Sequence, residues 1–166
     1  MTATREAERF PVDGGFGRGA SFIFAPDGQR LIMANERGIV VWRVADGMRL
    51  KEIPAGAVPI SALAMALSQD GTRLVLPDGF TTTGRIWDLN TGQATALRGH
   101  AGVISEVQIS ADGSLVLTAS GQDGTTRLWD GVTGELLTVF PWVAQGLIYH
   151  PMAGCCWPAR VLRPAA

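Results

Sequence analysis

The chain has 166 residues, of which 21 are Gly and 9 are Pro, and its 14 basic and 15 acidic side chains leave a formal net charge of −1. This length fits one ordinary domain, and a hydrophobic fraction of 46% is too high for a disordered chain. The balanced charge argues against a nucleic-acid-binding face, and the absence of a long apolar run or an apolar leader predicts a cytoplasmic protein that does not enter a membrane.

Three sequence markers recur along the chain with a period of about 42 residues. The Asp-Gly pairs are Asp27-Gly28, Asp70-Gly71 and Asp112-Gly113. The tryptophans in phase with them are Trp42, Trp87 and Trp129, and a glycine follows each five positions later. Three markers that keep the same phase over three copies indicate an internal repeat.

Each copy is predicted to form four short strands. They cover residues 21–24, 31–34, 39–43 and 49–53 in the first copy, 62–67, 74–76, 84–88 and 94–97 in the second, and 104–110, 115–120, 125–130 and 135–140 in the third. Asp-Gly between two such runs favours a hairpin, because Gly tolerates a positive φ. No stretch shows helical periodicity, so the chain is predicted to be all-β.

Several inner strands (31–33, 74–76 and 115–117) are apolar at every position, which is typical of a strand covered on both faces. Stacked four-stranded repeats of this length fit a β-propeller. We therefore predict a partial β-propeller of about three four-stranded antiparallel blades, open or incomplete. Its parts are a flexible lead-in (1–20), repeats at about 21–55, 60–98 and 99–140, and a degenerate tail (141–166).

The third copy carries one motif pattern almost from end to end: Gly99-His100, Asp112-Gly113, Asp123-Gly124 and Arg127-Leu128-Trp129-Asp130. The second copy keeps Trp87-Asp88, and the first keeps Asp27-Gly28 and Trp42. This pattern resembles the WD-repeat β-propeller family. The resemblance implies a buried structural tetrad at His100, Ser120 (with Thr118 as the alternative), Asp123 and Trp129.

The resemblance also implies a non-enzymatic platform for protein–protein interaction, with no cofactor and no metal. The exposed candidates for contact are Phe80 and Arg98, because the hairpin at residues 78–84 is longer than a blade needs and loops on a rigid scaffold often carry function. Self-association through open blade edges is a second expectation.

Three clusters of residues suggest alternative functions. His100, Asp123 and Ser120 have the residue types of a hydrolytic triad, but Trp129 gives them a structural interpretation. His150 with Cys155 and Cys156 offers too few ligands for a tetrahedral metal site. The glycine-rich residues 14–19 lack the strand and helix of a phosphate loop. A propeller hydrolase is therefore the least favoured alternative.

The tail changes composition abruptly, because both cysteines and two tryptophans lie beyond residue 140. Read in a shifted frame, codons for residues 150–158 can encode Pro-Asp-Gly-Arg-Leu-Leu-Leu-Ala, which is the start of a fourth repeat. The tail is therefore interpreted as an out-of-frame repeat, with an ordinary divergent terminus as the alternative. This interpretation leaves open that the chain is an orphan fragment of a frameshifted gene with no independent function.

Overall fold

The computed structural model describes residues 20–55 and 64–143, which contain β-strands and no helix. The strands are β1 (Ser21–Phe24), β2 (Arg30–Asn35), β3 (Gly38–Arg43), β4 (Arg49–Pro54), β5 (Ala66–Leu67), β6 (Arg73–Pro77), β7 (Gly84–Asp88), β8 (Ala94–Leu97), β9 (Glu106–Ile109), β10 (Leu115–Ser120), β11 (Thr125–Asp130) and β12 (Leu136–Phe140). They form three four-stranded antiparallel sheets, here called blade 1 (β1–β4), blade 2 (β5–β8) and blade 3 (β9–β12). The predicted all-β, unclosed arrangement of three blades is confirmed.

Most strands begin and end within about two residues of their predicted limits. The strand predicted at 104–110 is shorter, because the amide of Ile104 donates to the carbonyl of Thr81 in the neighbouring blade, at 3.4 Å. The strand predicted at 62–67 is described only as Ala66–Leu67, and its first two positions lie outside the described residues. Residues 1–19 of the predicted lead-in (1–20) and residues 144–166 of the predicted tail (141–166) lie outside them as well.

The repeated Asp-Gly pairs close the first hairpin of every blade. The glycines have left-handed φ values of 65°, 67° and 72° at Gly28, Gly71 and Gly113. The preceding aspartates accept the amide two residues further on, at 2.8 to 3.0 Å, in Asp27, Asp70 and Asp112. Asp88 and Asp130 do the same at the ends of β7 and β11. The Asp-Gly pairs recur in the sequence because each blade closes its first hairpin with the same kind of turn.

The blades stack face to face in chain order. The forward face of a blade is defined here as the one turned to the next blade, and it is centred on Ile32 and Val41 in blade 1, Val75 and Ile86 in blade 2, and Leu117 and Leu128 in blade 3. The rear face is the opposite one and carries the tryptophan. The forward face of blade 1 packs against Leu74, Leu76 and Trp87. The forward face of blade 2 packs against Val107, Ile109, Val116 and Trp129.

Two arginines at the same register position tie each blade to the next. Arg30 in β2 donates to the carbonyl oxygen of Gly71, at 3.3 Å, in the first turn of blade 2. Arg73 in β6 donates to the carbonyl oxygen of Gly131 in blade 3. Leu115 occupies this position in blade 3. The polar contact between blades therefore repeats as regularly as the apolar one.

Candidate functional site

The polar cluster predicted in the third repeat is a continuous chain of hydrogen bonds in blade 3. The indole N–H of Trp129 donates to the Thr118 hydroxyl oxygen at 2.8 Å. The Thr118 hydroxyl lies 2.7 Å from Nε2 of His100, and Nδ1 of His100 lies 2.7 Å from a carboxylate oxygen of Asp123. One assignment of protons satisfies all four groups: Trp129 donates to Thr118, Thr118 to His100, and His100 to Asp123.

Asp123 anchors the end of this chain as a carboxylate. Burial alone would raise its pKa, but hydrogen bonds from Thr125 and His100 and the amide of Ala101 outweigh burial and hold the pKa of Asp123 well below its ordinary value. The negative charge of Asp123 fixes the tautomer of His100 with the proton on Nδ1. Nε2 is then the acceptor that the Thr118 hydroxyl requires.

Thr118, and not Ser120, is the hydroxyl between His100 and Trp129. Val116 lies directly opposite Trp129, so Thr118 is two residues along the same face, within reach of the indole, whereas Ser120 is four residues along. The Ser120 hydroxyl instead accepts the amide of Asp123 at 3.4 Å. The sequence prediction for Ser120 is therefore corrected to its alternative, Thr118.

The cluster is built as packing rather than as a reaction centre. The side chain of His100 is fully buried, that of Asp123 is 7% exposed, and Thr118 is fully buried. The ring nitrogens of His100, the Thr118 hydroxyl and the Trp129 indole N–H all have hydrogen-bond partners inside the blade. A substrate would have to displace those partners before meeting a nucleophile, so the geometry supports a structural role.

The other two blades lack this network at the same register position. Leu76 in blade 2 and Met33 in blade 1 stand where blade 3 has Thr118. In blade 2 the consequence is visible, because the buried indole N–H of Trp87 has no hydrogen-bond partner among the described residues. Only the third repeat of those described carries the hydroxyl that joins tryptophan to histidine.

Blade 2 has a different polar pair at the end of β6, in which the aspartate is buried and the arginine is half-buried. Asp78 is 4% exposed, and Nε of Arg85 lies 2.7 and 2.8 Å from its two carboxylate oxygens. Burial raises the pKa of Asp78, and Arg85 with the charge of Arg98 offsets part of that effect. This pair was not predicted from the sequence. The signal that could have indicated it is an aspartate, Asp78, directly after an apolar strand.

Phe80 projects from a loop that is itself well fixed. Its side chain is 79% exposed. Around it, the amide of Asp78 donates to the Thr83 carbonyl at 2.9 Å, and the amide of Thr81 donates to the Asp78 carbonyl at 3.1 Å. The carbonyl of Thr81 accepts the amide of Ile104 from the β8–β9 connection. An exposed aromatic ring on a fixed loop is typical of a contact residue.

Phe80 and Arg98 lie on the same rim of the stacked blades. Because consecutive strands run antiparallel, the β2–β3, β6–β7 and β10–β11 turns and the β8–β9 connection all lie at one end of the blades. We call this end the loop rim (residues 36–37, 78–83, 98–105 and 121–124). Arg98 is exposed there, close enough for its charge to offset part of the rise that burial causes in the pKa of Asp78.

The remaining hypotheses concern sites of other kinds. Within residues 20–55 and 64–143, no group of three or more His, Cys, Asp or Glu side chains could hold a metal ion. Over the same ranges, no helix is long and apolar enough to cross a membrane. His150, Cys155, Cys156 and the glycine-rich residues 14–19 lie outside the described residues.

Comparisons with known proteins agree with this geometry. Residues 92–130 match the family model of the WD domain, G-beta repeat. The fold is similar to the crystal structure of the RRP9 WD40 repeats, with 22% sequence identity over 71% of this chain and 37% of that one, at a TM-score of 0.60. It is also similar to the structure of U3-55K, with 23% identity over 75% of this chain and 39% of that one, at a TM-score of 0.61.

The predicted resemblance to WD-repeat proteins is thus confirmed, in sequence for the segment 92–130 and in fold for the row of blades. The chain spans less than two fifths of the length of these two structures. A sequence comparison with curated proteins gives no match.

Proposed function

We propose that this chain, a WD repeat within a row of three propeller blades, is a non-enzymatic scaffold that binds another protein through its loop rim. WD40 repeats in general support protein interaction. The observation that carries the proposal here is Phe80, which is the most exposed large apolar side chain among the described residues. We further propose a cytoplasmic location and a place within a larger propeller.

The residues of the loop rim fall into two groups, one satisfied inside the blades and one exposed to solvent. The buried polar groups, His100 and Asp123 in blade 3 and Asp78 in blade 2, are all satisfied inside the blades. Phe80 and Arg98 are exposed on a fixed framework, although the charge of Arg98 also acts on the buried Asp78. Aromatic residues, Phe among them, and Arg are enriched in protein interfaces relative to the rest of the surface.

A peptide-binding experiment tests the loop rim. We expect peptides selected on the 166-residue chain from a phage-displayed random library to bind the Phe80→Ser variant at least tenfold more weakly, because the main apolar contact is lost. Affinities would be measured by isothermal titration calorimetry. Phe80 is exposed, so the substitution leaves the fold intact, which circular dichroism checks.

The matched control lies at the opposite end of the blades. Val132 in the β11–β12 turn is 60% exposed, so Val132→Ser removes an exposed apolar side chain from the other rim. We expect this variant to bind the selected peptides as the unchanged chain does. Equal losses for the two variants, or no loss for Phe80→Ser, would contradict binding through the loop rim.

The alternative is that the chain is an orphan fragment of a frameshifted gene with no independent function. In the same experiment this alternative predicts that no selected peptide depends on Phe80 for binding. The observation that favours this alternative is the abrupt change of composition beyond residue 140.

We also propose that copies of this chain associate through the blades at the two ends of the row.

A further inference from the structure

We propose that the partner bound at the loop rim is an acidic peptide segment, whose carboxylate lies between Arg98 and Arg127 and whose neighbouring apolar residue packs on Phe80. This inference rests on the proposed function and names the chemistry of the partner. Phe80 and Arg98 belong to the rim of blade 2, and Arg127 lies in β11 of blade 3, near the same rim.

The arginines at the opposite end of the blades are already engaged within the chain. Arg30 pairs with Asp27 at 2.9 Å, and Arg43 pairs with Asp46 at 3.1 Å. Arg73 donates to a backbone carbonyl oxygen in blade 3. Each of these guanidinium groups therefore has an acceptor in the folded chain.

Arg98 at the loop rim has no such acceptor. Its side chain is exposed and, among the described residues, makes no hydrogen bond and no ion pair. The carboxylate on which its charge acts, that of Asp78, is 4% exposed and is bonded to Nε of Arg85 at 2.7 and 2.8 Å. Arg98 therefore presents a guanidinium group that is available to an anion from solvent.

Arg127 brings a second guanidinium group to the same place. It lies two residues from Trp129 in β11, so it is on the rear face of blade 3, the side turned to blade 2. A Cβ added at Gly99 would lie 2.5 Å from Nη1 of Arg127, so this guanidinium lies against the residue next to Arg98. The side-chain hydrogen bond described for Arg127 is a long one, 3.5 Å from Nε to the Thr125 hydroxyl, and it leaves both Nη groups for another acceptor.

The carboxylate of Asp123, also at this rim, does not pair with the two arginines. Its side chain is 7% exposed and accepts hydrogen bonds inside blade 3 from His100, the Thr125 hydroxyl and the amide of Ala101. Both aspartates at the junction of blades 2 and 3 are therefore used internally, whereas the two guanidinium groups are not.

This arrangement fits an acidic peptide. A guanidinium group can donate two parallel hydrogen bonds to a carboxylate, and two neighbouring cations favour an anion between them. Phe80, at 79% exposure and two residues beyond Asp78, adds an apolar contact that an isolated anion would not use. The three side chains together therefore match a segment in which Asp or Glu is close to a large apolar residue.

Amide forms of selected peptides test the acidic contact. Peptides selected on the 166-residue chain from a phage-displayed random library are expected to contain Asp or Glu close to a large apolar residue. A second form of each peptide carries Asn or Gln in place of every Asp or Glu. Isothermal titration calorimetry is expected to show that the amide form binds about tenfold more weakly or worse, because charge-assisted hydrogen bonds to the arginines are lost.

Arginine substitutions assign the contact to its two residues. Arg98→Gln and Arg127→Gln are each expected to weaken binding of the acidic form about tenfold and to leave binding of the amide form nearly unchanged. Arg43→Gln is the matched control, because it removes the same charge from the opposite end of the blades, and both forms are expected to bind it normally. Arg98 is exposed, so its variant keeps the fold even if Arg127→Gln does not, and circular dichroism checks both.

The outcomes separate the acidic partner from binding through the loop rim. Peptides that need Phe80 but bind equally well in the amide form would overturn the acidic partner alone. A preference for the acidic form that survives both arginine substitutions, or that Arg43→Gln removes as well, would also overturn it. Peptides that depend neither on Phe80 nor on their acidic residues would contradict both proposals.

Discussion

Replacing Thr118 with Val is expected to lower the free energy of unfolding by about 2–4 kcal/mol, because each buried polar group left without a partner costs about 1–3 kcal/mol. Val has nearly the shape of Thr, so no cavity forms. The substitution removes the acceptor of the Trp129 indole N–H and the donor to Nε2 of His100 together. Urea unfolding followed by tryptophan fluorescence and circular dichroism measures the loss.

Ser120→Ala is the matched control for Thr118→Val. Ser120 is equally buried and in the same strand, but the only hydrogen bond described for its hydroxyl is the 3.4 Å contact with the amide of Asp123. We expect a loss below about 1 kcal/mol. If Ser120→Ala costs as much as Thr118→Val, the hydroxyl that joins His100 to Trp129 has been assigned to the wrong residue.

Gly38→Ala is expected to destabilise blade 1 by about 4 kcal/mol, which is at the upper end of single substitutions. Gly38 begins β3 with a φ of 146°, and an added Cβ would lie 2.2 Å from the carbonyl oxygen of Ile53 in β4. The clash is with backbone, so no side chain can move aside to relieve it. The β3–β4 pairing must open, and thermal unfolding by circular dichroism measures the result.

Gly28→Ala provides the control for the backbone conformation alone. Gly28 also has a left-handed φ, of 65°, but an added Cβ would meet no atom within 4 Å. The expected loss is about 1–2 kcal/mol, the cost of a left-handed residue with a side chain. Equal losses at Gly28 and Gly38 would contradict the close approach of β3 to β4.

The strands could be predicted from the sequence because their signals are local. Asp112-Gly113 closes a hairpin through the left-handed φ of the glycine and the aspartate's hydrogen bond to the amide of Ser114, and both act within three residues. Repetition of the same local chemistry three times then fixed the number of blades. Stacking followed from inner strands that are apolar on both faces.

The choice between Ser120 and Thr118 could not be settled in this way. Both lie on the same face of β10, and the resemblance places a hydroxyl there without fixing the register. The register of β10 against β11 determines which hydroxyl is used, because it places Val116 opposite Trp129 and brings Thr118 within reach of the indole. Register depends on pairing between strands, which a single sequence does not contain.

The Asp78–Arg85 pair and the contacts between blades were missed for a related reason. Asp78 and Arg85 are seven residues apart, on either side of a loop that is longer than a four-residue β-turn, so no turn signature in the sequence places them together. Arg30 and Arg73 are equivalent only once the strands are aligned in register, and their acceptors are 41 and 58 residues away. Such contacts follow from stacking and have no local signature.

Hydrogen–deuterium exchange on the 166-residue chain, read by mass spectrometry, tests most directly whether the chain forms a row of three packed blades. We expect slow exchange in the inner strands of all three blades, and the slowest in β6 and β7, because blade 2 is covered on both faces. Protection confined to β10 and β11 would contradict this, because blades 1 and 2 would then not form a packed scaffold in this chain.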